Sequence, residues 1–238
     1  MRFISSQSLN AVPGSGEYML GLHALGLSPE SVLFIEIILV CSALFALFGG
    51  EQENRTQKAV VWSFGIIAAL AIGRIILGPI PNVQPVTIGL LLVGATYGVR
   101  KGIGIAILVT ILSNIFLGSG MWTLFQAGAW SIVAVGGYMA ANQFIKDEKL
   151  MIGRLMIAGF IAAFVFDYIV SLSVLIADPS LGVLIAYLIT GLPFDLLHAA
   201  GNIVIAISLG PSMHNMLLRS LSPTNLSIRS STNESRVE

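Results

Sequence analysis

Residues 151–176, MIGRLMIAGFIAAFVFDYIVSLSVLI, contain one arginine and one aspartate in a run that is otherwise almost entirely apolar. A helix that crosses the hydrocarbon core of a bilayer needs about 20 predominantly apolar residues. The run therefore predicts a transmembrane helix. The whole chain is 55% hydrophobic and only 10% charged, which is more apolar surface than a soluble domain can bury.

Similar apolar runs recur on both sides of this stretch and predict an all-α integral membrane protein. With it they make seven: residues 32–48, 59–77, 86–98, 102–117, 122–141, 151–176 and 183–209. The third run is short for a full crossing. The last contains Pro193, which lacks a backbone donor and disfavours helix for the residue before it. We expect a break there, with the final crossing beginning at Phe194.

The positions of lysine and arginine predict the orientation of the helices, because these residues are retained on the cytoplasmic side of short loops. An N-out, C-in topology places ten of the twelve cations inside. The ten are Arg55, Lys58, Arg100, Lys101, Lys146, Lys149, Arg154, Arg219, Arg229 and Arg236. The polar tails, residues 1–30 and 222–238, are expected to be disordered.

Several kinds of partner and site are disfavoured by the composition. The net charge of zero gives no basic excess for nucleic acid. Cys41 is the one cysteine, so neither a disulfide framework nor a thiolate metal site is expected. The chain contains no phosphate-binding loop of the G-x-x-x-x-G-K-[ST] type, and we predict no cofactor and no catalytic residues.

Polar side chains among apolar neighbours are costly in a membrane unless they are paired or hydrated, which makes them candidates for function. Asp195, His198 and Asn202 are spaced by three and four residues, so they share a helix face that begins on the outer side. The predicted topology places the other candidates in the outer half too. The ten candidate substrate-binding residues are Arg74, Asn82, Gln84, Thr87, Asn114, Trp122, Gln126, Asp195, His198 and Asn202.

Structural roles are open for several of these residues. Gln84 and Thr87 are also suited to cap the following helix. Arg74 is also suited to snorkel to the interface or to pair with Asp195, and Asp167 is a further acid that could pair with it. Trp122 fits an interfacial aromatic belt as well as a site that stacks on a flat ligand.

Small residues recur every four positions on two helices and allow close helix approach. They are Gly65, Ala69 and Gly73 on the second run and Gly102 and Ala106 on the fourth. Packing within this bundle and docking to a second protein are both open.

A series of short motifs resembles one transporter family. Gly73-Arg74 precedes PNVQPVT at 81–87, SNIFLG at 113–118, Trp122-Thr123 with Gln126, and LPFDLLHAAGN at 192–202. Over residues 59–218 the chain resembles the substrate-binding S-components of energy-coupling factor (ECF) transporters, in a vitamin-type branch often linked to cobalamin or its precursors. The opening Met1-Arg2-Phe3 differs from the Met-x-His start of the nickel and cobalt branch, which argues against a metal substrate.

The resemblance implies an architecture and a mechanism. Residues 58–218 would form a six-helix bundle in a prokaryotic plasma membrane, and residues 31–50 an extra N-terminal transmembrane helix. The bundle would capture a vitamin from outside and release it through a transmembrane coupling subunit and two cytoplasmic ATPases. In the family, the small-residue positions contact the coupling subunit, which favours docking for the five small residues.

Two other functions are compatible with parts of the pattern. A stand-alone secondary transporter or channel could couple to protons through Asp167, Asp195 and His198. An intramembrane protease is less well supported, because the Phe194-x-x-x-His198 and His198-x-x-x-Asn202 spacings lack the adjacent acidic pair and the second nearby histidine that such enzymes need.

Overall fold

The computed structural model describes residues 29–49 and 57–221, almost all of them in helices. The helices are α1 (Pro29–Phe48), α2 (Gln57–Ile76), α3 (Val86–Leu117), α4 (Met121–Met139), α5 (Ala141–Phe144), α6 (Ile152–Ser171), α7 (Val174–Ala177), α8 (Leu181–Ser208) and α9 (Gly210–Ser220). The predicted C-terminal tail lies outside the described residues, as does the N-terminal tail apart from its last two residues, which open α1.

The described helices are those of an all-α membrane protein. Four are long and apolar enough to cross a membrane: Glu30–Phe48, Val86–Leu117, Ile152–Ile176 and Leu181–Ser208. Residues Val60–Ile76 form a shorter apolar helix. Large apolar side chains such as Phe34, Phe45 and Phe160 are exposed on the outside of the bundle. Helices satisfy their own backbone groups, so an apolar exterior of this kind is suited to lipid.

The chain reverses direction within α3, at Gly98. This residue has φ 83° and ψ 177°, a left-handed φ that glycine adopts without the steric cost of a Cβ. A Cβ built on Gly102 would lie 3.5 Å from the Cα of Gly94, whereas eight residues of continuous helix span about 12 Å. Residues 86–97 and 99–117 are therefore two antiparallel segments, as the separate third and fourth runs predicted.

A β-hairpin reverses the chain between α5 and α6, and an all-α prediction did not include it. Strands β1 (Ile145–Lys146) and β2 (Lys149–Leu150) pair antiparallel. The turn residues Asp147 and Glu148 have φ of 49° and 60°, as a two-residue type I′ turn requires. His214 of α9 contacts this turn, with its Nε2 2.9 Å from the carbonyl oxygen of Glu148. We call this end of the bundle the Gly98 end, and the opposite end the Arg74 end.

The predicted break at Pro193 is wrong, because α8 continues through it from Leu181 to Ser208. Proline removes a single hydrogen bond, to the carbonyl group four residues earlier. In membrane helices, local adjustments and side-chain hydroxyls compensate for such losses. Here the carbonyl of Ile189 loses its N–H donor at Pro193, and the remaining bonds hold the 28-residue helix together.

The hydrophobic core lies between the two segments of α3 and helices α2, α4, α6 and α8. Backbone atoms approach closely where α3 meets α4: a Cβ on Gly94 would be 1.8 Å from the Ala134 carbonyl oxygen, and one on Gly137 would be 2.1 Å from that of Leu91. Helix α1 lies outside this core and packs through a second cluster that includes Leu39, Ala43 and Ile107.

Candidate functional site

Arg74, in the last turn of α2, lies inside the bundle, with 7% of its surface exposed. Its Nε donates to Gln84 Oε1 at 3.0 Å. Its Nη1 donates to Asn114 Oδ1 at 2.6 Å and also to the Ser113 hydroxyl. Its Nη2 donates to Gln126 Oε1 at 3.4 Å. Side chains from three further segments of the chain therefore hold one guanidinium.

The acceptors around Arg74 are all electrically neutral. No carboxylate in residues 29–49 and 57–221 lies within 4.0 Å of the guanidinium. The face of the Trp130 ring supports it instead, with the arginine Cζ 4.8 Å from the ring centroid, a cation–π geometry. The positive charge is thus solvated by dipoles and an aromatic face and is not neutralised by these residues.

Asn114 organises this network because it both accepts and donates. Its Oδ1 accepts from Arg74, and its Nδ2 lies 3.0 Å from both Thr123 Oγ1 and Gln126 Oε1. The Thr123 hydroxyl oxygen also accepts the Gly120 N–H, at 3.2 Å, at the start of α4. Asn114 therefore fixes the first turns of α4 and the position of Gln126 relative to Arg74.

A second polar cluster centres on His198 of α8, which is fully buried. Its Nδ1 lies 2.8 Å from Asp167 Oδ2, and its Nε2 lies 3.0 Å from Thr87 Oγ1. Asp167 is the most accessible residue of the three, with 11% of its side chain accessible. The buried Thr87 and His198 therefore fix the position of the Asp167 carboxylate.

Two aromatic rings separate the clusters. Trp130, under Arg74, stacks on Phe166 with centroids 4.7 Å apart. Phe166 in turn meets the His198 ring edge-on at 5.5 Å. The guanidinium and the histidine–aspartate pair therefore lie on opposite sides of a packed aromatic pair.

A cavity of about 560 Å³ opens at the Arg74 end between α2, α6, α8 and the turn that follows α2. Its polar lining includes Arg74, Asn82, Gln84, Gln126, Asp167, Ser171, Tyr187, Thr190 and Asp195, and its apolar lining includes Phe166 and Phe194. Asn82 has the left-handed φ of 58° and its Nδ2 donates to the Phe194 carbonyl at 3.4 Å, which ties the turn to α8. The volume falls in the range of small-molecule sites.

The structure divides the ten predicted substrate-binding residues into two groups. Those that line the cavity are Arg74, Asn82, Gln84, Gln126 and Asp195. Those that do not line it are Thr87, Asn114, Trp122, His198 and Asn202. Asn114 hydrogen-bonds to Arg74, and His198, which contacts Thr87, hydrogen-bonds to Asp167. These three residues therefore position side chains of the cavity lining without lining the cavity themselves.

Trp122 and Asn202 have other surroundings. The Trp122 ring lies against Gly120, where a Cβ would be 2.4 Å from it. Asn202 is fully buried and donates from Nδ2 to the Gly159 carbonyl at 2.9 Å, which ties α8 to α6.

Two of the structural alternatives are corrected by these contacts. Helix α3 has no side-chain cap, because Gln84 accepts from Arg74 and Thr87 faces His198. Neither Asp195 nor Asp167 pairs with Arg74: Asp167 contacts His198 instead, at 2.8 Å, and no aspartate of the described residues lies within 4.0 Å of the guanidinium.

Sequence reasoning did not assign Asp167, Phe166 or Tyr187 to the site, yet all three line the cavity. Asp167 carried a usable signal, as an acid in the middle of an apolar run. Phe166 and Tyr187 carried none, because aromatic residues are ordinary in membrane helices and only side-chain direction places these two at the cavity.

The five predicted docking residues also fall into two groups, exposed and internally packed. Gly65 and Ala69 are exposed on α2, and no atom lies within 4 Å of where a Cβ on Gly65 would be. Gly73 instead contacts Pro85, Gly102 contacts Ala134, and Ala106 is fully buried. Internal packing therefore accounts for the small residues on α3, and only Gly65 and Ala69 are accessible to another protein.

Thr87, His198 and Asp167 are connected in the same order as a nucleophile–histidine–acid triad. In such a triad the nucleophile is accessible, whereas here only the acid is. Nucleophilic catalysis needs the hydroxyl and the histidine to reach the substrate. Here both are fully buried, and the carboxylate faces the cavity. The arrangement is suited to presenting a carboxylate to a ligand.

A family profile matches residues 52–220, which is well over half of the chain and includes every cavity-lining residue. No curated protein and no solved structure gives a significant match. The chain therefore belongs to DUF6580, a family of unknown function.

Proposed function

We propose that this protein is the substrate-capture subunit of an ATP-driven uptake transporter of the ECF type. The observation that carries the proposal is the cavity at the Arg74 end, where polar side chains from separate helices are held in place by buried hydrogen bonds. Such a network is costly in a membrane protein unless it has a use. The motifs that resemble S-components include Arg74, Gln84, Asn114 and Gln126 of this network.

The proposed topology is N-out and C-in, with the cavity open to the outside of a prokaryotic plasma membrane. Apart from Arg74, the cations of the described residues stand at helix ends or in loops at the Gly98 end; they are Lys58, Arg100, Lys101, Lys146, Lys149, Arg154 and Arg219. That distribution is typical of a cytoplasmic face. Seven segments would then enter the membrane, six of them in the core, with α1 packed beside the fourth of the seven. Residues 86–97 rise only about 18 Å and cross incompletely.

The proposed substrate is a vitamin or a vitamin precursor of ordinary small-molecule size. A cavity of about 560 Å³ lies within the range of about 300–1,000 Å³ that encloses drug-sized ligands. Cobalamin, with a corrin macrocycle and a nucleotide tail, is larger than such ligands. The volume therefore favours a precursor or a different vitamin over intact cobalamin.

Affinity purification of the tagged full chain from native membranes tests the proposal. We expect a coupling subunit and two ATPases to co-purify. Gly65→Leu with Ala69→Leu on the exposed face of α2 should remove them. Gly153→Leu, at another exposed helical glycine with open space around it, is the matched control and should retain them. A chain that purifies without these subunits, or that keeps them equally in both variants, contradicts the proposal.

Proton-coupled secondary transport is the second candidate, favoured by the Asp167–His198 pair at the cavity wall. Buried histidine–carboxylate pairs are common components of proton relays. The two functions differ in their energy source. Uptake that persists without any ATPase and stops when a protonophore is added would replace the ECF proposal with this one.

A further inference from the structure

We infer that the cavity binds an amphoteric small molecule, with its anionic group at Arg74 and its cationic group at Asp167 and Asp195. The inference rests on the proposed function, because it names the substrate class of the same cavity. It is carried by the placement of charges on the two walls.

The Arg74 wall lacks an anion. The guanidinium is 7% exposed and lines the cavity, and its four hydrogen bonds all go to neutral oxygens. A guanidinium has five N–H donors, so one N–H of Nη2 has no partner in the described chain. A buried charge is strongly destabilising unless it is paired. A carboxylate or phosphate of the ligand would accept this N–H and supply the missing negative charge.

The opposite wall has an excess of negative charge. Asp167 and Asp195 both line the cavity. Asp167 Oδ2 is bound to His198, which leaves Oδ1 without a partner among the described residues, and Asp195 accepts no hydrogen bond from them. No lysine or arginine of the described residues pairs with either carboxylate. An ammonium or similar cationic group would satisfy their free oxygens.

The two walls do not neutralise each other. The Trp130–Phe166 stack lies between the guanidinium and the Asp167–His198 pair, and no Arg–Asp ion pair forms in the described chain. A ligand with both charges and a flat or apolar body against Phe166 would complement the cavity at all three places. A ligand with one charge would leave one wall unpaired.

Binding of three probes with matched skeletons tests the inference: 4-(aminomethyl)benzoate, which carries both charges, 4-methylbenzoate and 4-methylbenzylamine. The same three charge types on a biphenyl skeleton cover a longer spacing. Affinities are measured by thermal shift on the detergent-purified full chain. We expect the zwitterion of one skeleton to bind at least tenfold more tightly than either singly charged probe.

Two variants assign the charges to the walls. Arg74→Gln should remove the advantage of the zwitterion over the amine, and Asp195→Asn should remove its advantage over the carboxylate. Arg154→Gln and Asp178→Asn lie outside the cavity lining and should leave both advantages unchanged. If Arg74→Gln does not fold, Asp195→Asn decides the question, because Asp195 is only half-buried and accepts no bond that its loss would break.

The inference is overturned if a singly charged probe binds as tightly as the zwitterion, if none of the probes binds, or if Asp195→Asn leaves the selectivity unchanged. None of these results bears on co-purification of the coupling subunit and ATPases. Failure of the amphoteric assignment is therefore distinguishable from failure of the transport proposal.

Discussion

Arg74 is the residue around which the Arg74 end is built. Its charge is held by Gln84, Asn114 and Gln126 and supported by the face of Trp130. Because each acceptor comes from a different part of the chain, the guanidinium joins α2, α3, α4 and the turn after α2. The contacts that hold the guanidinium therefore also stabilise the fold.

Asn114→Leu tests that structural contribution. The substitution keeps a similar volume but removes one acceptor of Arg74 and the donor to Thr123 and Gln126. Leaving buried polar partners unsatisfied costs about 1–3 kcal/mol each, so we expect a loss of at least about 2 kcal/mol in the free energy of unfolding. Denaturant titration in detergent measures it. The control is Ser208→Ala, which removes an exposed hydroxyl bonded to its own helix. It should change the free energy of unfolding by less than about 0.5 kcal/mol. An equal loss in both variants would refute a special role for Asn114.

The sequence was informative about which residues belong together near Arg74. Polar side chains at the same depth of a membrane lower their free energy by pairing with one another. Gln84, Asn114 and Gln126 do converge on Arg74. It was less informative about His198, which shares a helix face with Asp195 but bonds to Asp167 and Thr87. Helical spacing gives the face of a residue and not the partner on the next helix, which depends on the rotation of both helices.

Close helix approach is the main feature at the scale of elements. Helices α3 and α4 meet where Gly94 and Gly137 face the backbone carbonyl groups of the opposing segment. Any side chain there would separate the two helices. Because α4 also carries Gln126 and Trp130, this contact sets the distance of that helix from Arg74.

Gly137→Ala and Gly128→Ala are a matched pair on α4. A Cβ at Gly137 would lie 2.1 Å from the Leu91 carbonyl oxygen, whereas nothing lies within 4 Å of one at Gly128. We expect Gly137→Ala to destabilise the protein by about 3 kcal/mol or more through overpacking. Gly128→Ala should be neutral or stabilising by up to about 1 kcal/mol, because alanine favours helix. Thermal unfolding of both variants measures the difference, and similar stabilities would contradict the close approach.

Helix positions were predictable because apolar run length is a direct consequence of membrane thickness. The reversal occurs at Gly98, the last residue of the third predicted run, just before the fourth run begins at residue 102. The break expected at Pro193 did not occur, since one missing hydrogen bond does not end a 28-residue helix. The hairpin at 145–150 was missed because its strands are two residues long and show no alternation that sequence analysis could detect.

The two ends of the whole molecule differ in charge and shape. The Arg74 end has the cavity, and the Gly98 end has the cationic loops, the β-hairpin and α9. The expected orientation follows from this asymmetry, because lysine and arginine are retained in the cytoplasm. The sequence alone predicted it, since charge placement needs no tertiary structure.

Cysteine labelling in intact cells tests the orientation. In a Cys41→Ser background, a membrane-impermeant maleimide should label Ser180→Cys, which precedes α8 at the Arg74 end. Lys146→Cys, in the hairpin at the Gly98 end, should react only after the membrane is permeabilised. Both positions are exposed, so accessibility of the thiol within the protein is matched. The opposite pattern would place the cavity on the cytoplasmic side and contradict uptake from outside.

If the cavity captures a small molecule through Arg74, native mass spectrometry of the full chain purified from its own membranes should detect that molecule. We expect one bound small molecule per chain, of a size that fits about 560 Å³. That molecule should be lost in Arg74→Gln and retained in Arg154→Gln. A wild-type chain without a bound small molecule, or equal occupancy in the two variants, would show that Arg74 does not hold a ligand in this cavity.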